Sequence, residues 1–413
     1  MAASAIALDV DRDIDGAAAW RRLLVSVLLS TIGGVGIWSS VVVLPAIELE
    51  FGLDRGGASL PYLATMIGLA TGGTLIGRMT DRFGMMPLMI MGGLMLAGGY
   101  MLSAQAAAYW QFVLLQAVMI GMLGAAVSFG PLVADISLWF RRRRGIAIAL
   151  VASGNYLAGA VWPPVIEHLI AEVGWRQTHM VIGMVCLVTM LPLSLALRRR
   201  AVMRDGRLID RAPRAPAGDA GLSPAMLQAL LVMAGLACCI AMSMPQVHMV
   251  AYCLELGYGT ARGAEMLSLM LALGIVSRLV SGWIADHIGG LRTLILGSIG
   301  QCLALLFYLP FDGLVSLYLV SALFGLSQGG IVPSYALIVR DYFPAREAGA
   351  RVSLVLMATV VGMAIGGWMS GEIFDLTGSY QAAFLNGIAW NLVNMSIAFW
   401  LLLGPRWLRL RAS

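Results

Sequence analysis

Arg278 is the residue whose placement most demands a chemical explanation. It stands in the apolar run 264–285, eight positions before Asp286, hence about 12 Å of helix from that end at 1.5 Å per residue. A bilayer's hydrocarbon layer is about 30 Å thick, so the guanidinium falls near its middle. An arginine at that depth costs at least about 2.5–3.5 kcal/mol, a penalty best offset by an anion inside a bundle or in a wet cavity. No acidic residue lies one turn away in the same run. A carboxylate brought in as ligand would fill the role through a charge-assisted, bidentate contact. The competing reading is a structural arginine bonded to backbone carbonyls or to an acid on another helix.

Other polar residues inside apolar runs are candidates of lesser weight. Asn155 and Tyr156 lie about 15 Å into the run 145–170, deep enough to bond a substrate, although helix–helix contact explains them equally well. Gln328 and Tyr335 share the run 313–339, the latter beside Pro333, which frees backbone groups. Trp38 in the first run, with Gln246, His248 and Tyr252 toward the outer end of the seventh, are expected to line an outer cavity or to pack at the interface. His248 is also the side chain whose ordinary pKa suits proton carriage near neutrality. Asp135, five residues before Phe140, reads with Arg142 as part of a charged gate network at the cytoplasmic end. Asn386, Asn391 and Asn394 in the last run read as packing residues. Gly33-Gly34-Val35-Gly36 and Gly72-Gly73 permit close helix contact and are not phosphate loops, because no strand precedes them and no Lys follows.

The elements that position these residues follow from composition. The chain has 413 residues, 60% hydrophobic and 12% charged, with mean hydropathy +0.85. Soluble globules carry roughly 25% charged residues, so this composition excludes a soluble enzyme, a disordered scaffold and a secreted disulfide domain. Five cysteines without metal-ligand spacing read as small core residues. Twelve runs are long enough to span: 23–46, 58–80, 85–106, 109–139, 145–170, 177–197, 223–250, 264–285, 291–310, 313–339, 347–371 and 380–404. The first follows an acidic start and lacks a cleavage pattern, so it is not read as a signal peptide. No Lys occurs, and the 27 basic residues are all Arg. Of these, 23 fall on one side of the spans, only Arg55, Arg176 and Arg262 on the other, and Arg278 remains inside. The positive-inside rule then puts both termini and the long middle loop in the cytoplasm.

The two halves of the chain repeat. At an offset near 205, Glu50-Phe51-Gly52 aligns with Glu255-Leu256-Gly257, and Gly77-Arg78-Met79-Thr80-Asp81-Arg82-Phe83-Gly84 with Gly282-Trp283-Ile284-Ala285-Asp286-His287-Ile288-Gly289. At a slightly smaller offset, Trp139-Phe140 aligns with Tyr342-Phe343. The expected fold class is therefore an all-α membrane protein of twelve transmembrane helices in two pseudo-symmetric six-helix halves. The expected organisation is a cytoplasmic N-terminal tail 1–22, a first half 23–197, a cytoplasmic linker 198–222, a second half 223–404 and a C-terminal tail 405–413. Parallel repeats of this kind place a substrate site near the midplane and alternate access by rocking one half against the other.

The block Gly77 to Gly84, between the second and third spans of a duplicated chain, resembles the cytoplasmic loop motif of the major facilitator superfamily. The resemblance implies that Asp81 and Arg82, with Asp286 as their second-half echo, help to close the cytoplasmic side. Three further stretches resemble bacterial members of its monocarboxylate transporter branch. They are Phe51-Gly52-Leu53-Asp54-Arg55-Gly56, Trp139-Phe140-Arg141-Arg142-Arg143-Arg144-Gly145-Ile146-Ala147 and Arg278-Leu279-Val280-Ser281-Gly282. A bacterial inner membrane location is implied. The chain departs from the animal members in lacking their first-span Asp-Gly-Gly-Trp-type stretch and in carrying Gly274 where they have an acid.

The resemblance to oxalate/formate antiporters, which pair the eighth-span Arg with an eleventh-span Lys, stops at that Lys: the run 347–371 holds only Arg351, near its cytoplasmic end. One cation within the membrane suits one carboxylate. The expected function is a secondary transporter of a small organic monocarboxylate bound by Arg278, with proton symport the favoured coupling. An oxalate/formate-like anion exchanger, an efflux carrier for amphipathic compounds and a non-transporting receptor are the alternatives. Expected partners are the monocarboxylate, protons and the lipid bilayer, with no nucleic acid, and the chain is expected to be monomeric. No cofactor or metal is expected, and no nucleophile–base pair, metal cluster or nucleotide loop marks an enzyme.

Overall fold

The computed structural model describes residues 15–140, 142–198 and 223–411. Residues 199–222 of the linker expected at 198–222 and most of the N-terminal tail lie outside the described residues. Eleven helical stretches among the described residues are long and apolar enough to cross a bilayer. One of them, Gly145–Leu195, has 51 residues, about 76 Å of helix, far beyond one crossing. Gly174 within it has φ 80°, so the helix is broken there into two spans. Twelve crossings result among the described residues, and the all-helical membrane fold is as expected.

The repeat is visible in backbone conformation. Gly84 (φ 84°, ψ 173°) and Gly289 (φ 87°, ψ 160°), which close the two aligned glycine-acid blocks, adopt the same conformation before the third and ninth spans. Gly52 and Gly257 likewise pair with φ 63° and 79°. A Cβ disfavours these angles, which is why glycine recurs at each aligned position.

Several spans differ from uninterrupted helices. The first, Ala17–Val42, begins six residues before the apolar run expected at 23 and is offset at Gly34 between Ala17–Gly33 and Val35–Val42; the short helix Leu44–Phe51 follows it outside the span. The fourth is a succession of α-helix Tyr109–Leu115, π-helix Gln116–Gly124, 3₁₀ turn Ala125–Ser128 and α-helix Gly130–Trp139. Its widened turns lie against the backbone of the second span: a Cβ on Gly68 would fall 2.1 Å from the Ala117 carbonyl oxygen, and one on Gly72 2.0 Å from that of Met122. The tenth span is split at Gly329-Gly330 between Leu314–Gln328 and Ile331–Tyr342. The seventh, Pro224–Glu255, starts with the Ser223 hydroxyl accepting from Met226 N (3.2 Å) and Pro at the first helical position.

The chain divides into two units. One comprises Met1–Ala46 and Ala64–Gly206, the other Ile47–Leu63 and Arg207–Ser413. The first unit buries Leu29, Leu96, Tyr100, Ile120, Val151 and Met190 in a common apolar core. The segment 47–63, which includes the start of the helix Arg55–Phe83, packs as part of the second unit.

Candidate functional site

In the second unit, Arg278 stands in the helix Thr260–Ile288, half-buried, about 15 Å from the helix end at Ile288. Glycine at 329 lets the eighth and tenth spans touch through their backbones: a Cβ there would lie 2.2 Å from the Gly274 carbonyl oxygen and 2.7 Å from Arg278 N. Ser277 Oγ accepts from Gly329 N at 3.1 Å, and Arg278 Nε donates to the Gly329 carbonyl at 3.4 Å. These bonds occupy backbone groups released where the tenth span breaks. Next in the chain, Gln328 is fully buried, its Oε1 accepts from Gln246 Nε2, and its Nε2 finds no partner among the described residues. Gln246 and Gln328 are thus bonded to each other at the tenth-span break, and Arg278 is bonded to the next residue of that break, Gly329.

Tyr335 is in a different environment. Its hydroxyl donates to Asn394 Oδ1 (2.8 Å), whose amide donates to Ser298 Oγ (2.8 Å), while Asn391 donates to the Ser298 carbonyl (2.8 Å). This chain of bonds fastens the ninth, tenth and twelfth spans together. His248 is fully buried, with Nε2 2.7 Å from the Gly367 carbonyl and Nδ1 3.2 Å from the Tyr380 hydroxyl. A neutral ring protonated on Nε2 satisfies both contacts. Tyr252 packs edge-on against Tyr380 (5.4 Å) and Phe384 (5.5 Å).

In the first unit, Trp38 and Asn155 meet: the indole Nε1 donates to the Asn155 carbonyl at 3.1 Å. Asn155 Oδ1 is buried with no hydrogen-bond partner among the described residues. Tyr156 follows it, buried. Gln116, overlooked in sequence, opens the π-helical segment, and its Oε1 accepts from Thr65 Oγ1 at 3.2 Å. A polar residue within the run 109–139 was the available signal.

A cluster that sequence alone does not assemble surrounds Arg55 in the second unit. The guanidinium is buried, 3.2 Å from Glu48 and 3.4 Å from Glu255, and lies 5.1 Å from the Phe374 ring. Asp375 accepts from the backbone N–H groups of Arg55 (3.0 Å) and Gly56 (2.6 Å), capping the N-terminus of the Arg55–Phe83 helix. The Arg55 Nη1 reaches the Tyr380 hydroxyl at 3.4 Å, which links the cluster to His248. Burial holds the Glu48 carboxyl above the ordinary carboxylate range; Arg55 pulls it down, but Asp375, Glu255 and Asp54 add to the rise. The acids Glu48, Glu50 and Asp54 beside Arg55 were the sequence signal.

On the arginine-rich side, Arg22 makes a two-pronged bond to Asp135 (2.7 and 2.8 Å), and Asp15 accepts from Arg142 N at 3.0 Å. Arg82 stacks on Phe83 (5.3 Å) and Asp286 is exposed. The side chain of Asp81 lies outside the described residues. Arg142 is therefore held through its backbone, and Asp135 by the guanidinium of Arg22.

Known proteins share this architecture. The sequence profile of the Major Facilitator Superfamily matches residues 26–317 and 266–409. An MFS-type transporter of Gibberella moniliformis is 27% identical over 78% of this chain and 76% of that protein. Monocarboxylate transporter 13 of Bos taurus is 26% identical over 82% of this chain and 79% of its own length. The crystal structure of a point mutant of the nucleoside transporter NupG superposes with a TM-score of 0.73 at 12% identity, covering 93% of this chain and 99% of that one. That likeness concerns the fold.

Proposed function

The chain belongs to the Major Facilitator Superfamily, and on that premise we propose that it is a secondary active transporter of a small organic monocarboxylate, bound by Arg278. The observation that carries this reading is the half-buried Arg278 in the eighth span, lying on the carbonyl of Gly329 where the tenth span is broken. A 3.4 Å bond to a neutral carbonyl is weak beside a charge-assisted contact with a carboxylate at about 2.7–2.9 Å. An arriving carboxylate would be a stronger partner for the guanidinium than that carbonyl, and Gln328, the residue before Gly329, would offer an amide nitrogen that has no hydrogen-bond partner among the described residues. Because Gly329 belongs to the hinge-like break, ligand binding at Arg278 would act on the tenth span's own backbone.

Transport would proceed by rocker-switch alternating access of the two halves, with proton symport as the coupling and cytoplasmic closure through Asp81, Arg82, Asp286, Asp135 and Arg142. Asn155, Tyr156 and Trp38 would be further substrate-binding residues. Tyr335, His248 and Tyr252 would act through the helices they tie together. The arginine distribution supports a cytoplasmic membrane location with both termini inside. The likeness to a monocarboxylate transporter supports the substrate class.

The test is uptake of a panel of mono- and dicarboxylates into vesicles bearing the wild type or Arg278→Ala, with and without an imposed pH gradient. Monocarboxylate uptake that needs Arg278 and follows the gradient supports the reading. An Arg278→Ala protein that retains export of amphipathic compounds, in a transporter that never moved carboxylates, would favour an efflux carrier instead.

A further inference from the structure

A cavity of about 310 Å³ opens at the arginine-rich end of the first unit, lined by Arg21, Arg22, Val25, Trp139, Leu195 and Arg198, with Ala18 and Ala196 between them. Arg22 is already neutralised by Asp135, donates to the Leu197 carbonyl (3.3 Å) and stacks on Trp139 at 4.7 Å. Arg21 and Arg198 are exposed at the cavity and form no ion pair with any described residue. Among the described residues, the lining therefore carries two arginines with no ion-pair partner. Trp139 is 6% exposed, and its Nε1–H is buried with no hydrogen-bond partner among the described residues. A buried indole donor without an acceptor costs free energy unless a ligand supplies one.

We propose that this cavity binds a phosphate group, namely the headgroup phosphate of an anionic lipid. Two arginines and a neutral N–H donor match the acceptor oxygens of a phosphodiester. Basic pockets between transmembrane helices at the level of the headgroups suit such lipids. The surface beside the cavity favours a lipid over a free ion. Arg21, Leu24 and Leu28 are spaced i, i+3 and i+7 on one helix face, and Leu24 and Leu28 are exposed. On the sixth span, Leu195 and Val188 are also seven apart and exposed. Two apolar tracks thus run from the cavity along the protein, placed for acyl chains while the phosphate stays with Arg21, Arg198 and Trp139. A bound headgroup would brace the Arg22–Asp135 pair, which joins the first and fourth spans.

Native mass spectrometry of the detergent-purified protein tests this with phosphatidylglycerol, phosphatidylcholine and inorganic phosphate as probes. Phosphatidylglycerol is expected to bind at least tenfold more tightly than phosphatidylcholine. The double substitution Arg21→Gln/Arg198→Gln is expected to remove that preference, and Trp139→Phe to weaken it with no change of charge. Arg292→Gln, an exposed arginine at the start of the ninth span and outside the cavity, is expected to leave binding unchanged. Lipid binding by the double variant equal to wild type, or an equal loss in Arg292→Gln, overturns the site. Displacement of the lipid by millimolar inorganic phosphate, with protection by phosphate alone, overturns the lipid assignment in favour of a free anion. Melting curves of each variant separate lost binding from lost folding.

Discussion

Arg278 Nε lies 3.4 Å from the carbonyl oxygen of Gly329, and the absence of a Gly329 side chain permits the approach, since a Cβ there would lie 2.2 Å from the Gly274 carbonyl. The ionic residue inside the eighth span and the break in the tenth are therefore one structural feature.

Gly329→Ala is expected to force these two helices apart. Overpacking of this kind costs about 1–3 kcal/mol, and the obstacle here is backbone, which cannot swing aside. Thermal unfolding of the purified variant should show the loss, and transport should fall with it. Gly282→Ala, whose Cβ meets nothing within 4 Å, is the control and should melt like wild type.

The Arg22–Asp135 pair has side chains only 4% and 10% exposed. Asp135→Asn leaves a buried guanidinium uncompensated and is expected to destabilise the protein by about 3–5 kcal/mol. The double variant Arg22→Met/Asp135→Leu should recover most of that, because it removes both charges. Denaturation of the single and double variants gives the comparison; a double variant no better than the single would contradict the ion-pair account.

Glu48 gives a pH dependence of definite sign. Its carboxyl is held above the ordinary carboxylate range, chiefly by burial, so packing of the Arg55 cluster favours proton uptake. Its stabilising contribution is complete below the ordinary carboxylate pKa and is lost as pH rises through the raised value. Glu48→Gln mimics the protonated form. It should melt above wild type near neutral pH, with the gap closing on acidification. A gap that widens at low pH would reverse the sign.

The helices and the duplication were legible because both are written locally: a span needs only a long apolar run, and Gly84 and Gly289 or Gly52 and Gly257 announce the same turn in each half. Arg278 was legible because a charge in such a run stands out by itself. The π-helical stretch of the fourth span was not, since it depends on Thr65, Gly68 and Gly72 of another helix. Nor was the Arg55 cluster, whose members at 48, 255, 375 and 380 meet only in the fold. The same reason hides the roles of His248 and Tyr335: each looks like a lone polar residue in sequence, and each proves to be bonded to another span.

Carboxylate binding by Arg278 is tested most directly by vesicle uptake of monocarboxylates by wild type and Arg278→Ala, measured on protein of equal melting temperature. At least a tenfold fall is predicted, about 1.4 kcal/mol of lost interaction, with Arg278→Lys retaining part of the activity. Monocarboxylate uptake unchanged in Arg278→Ala would contradict it.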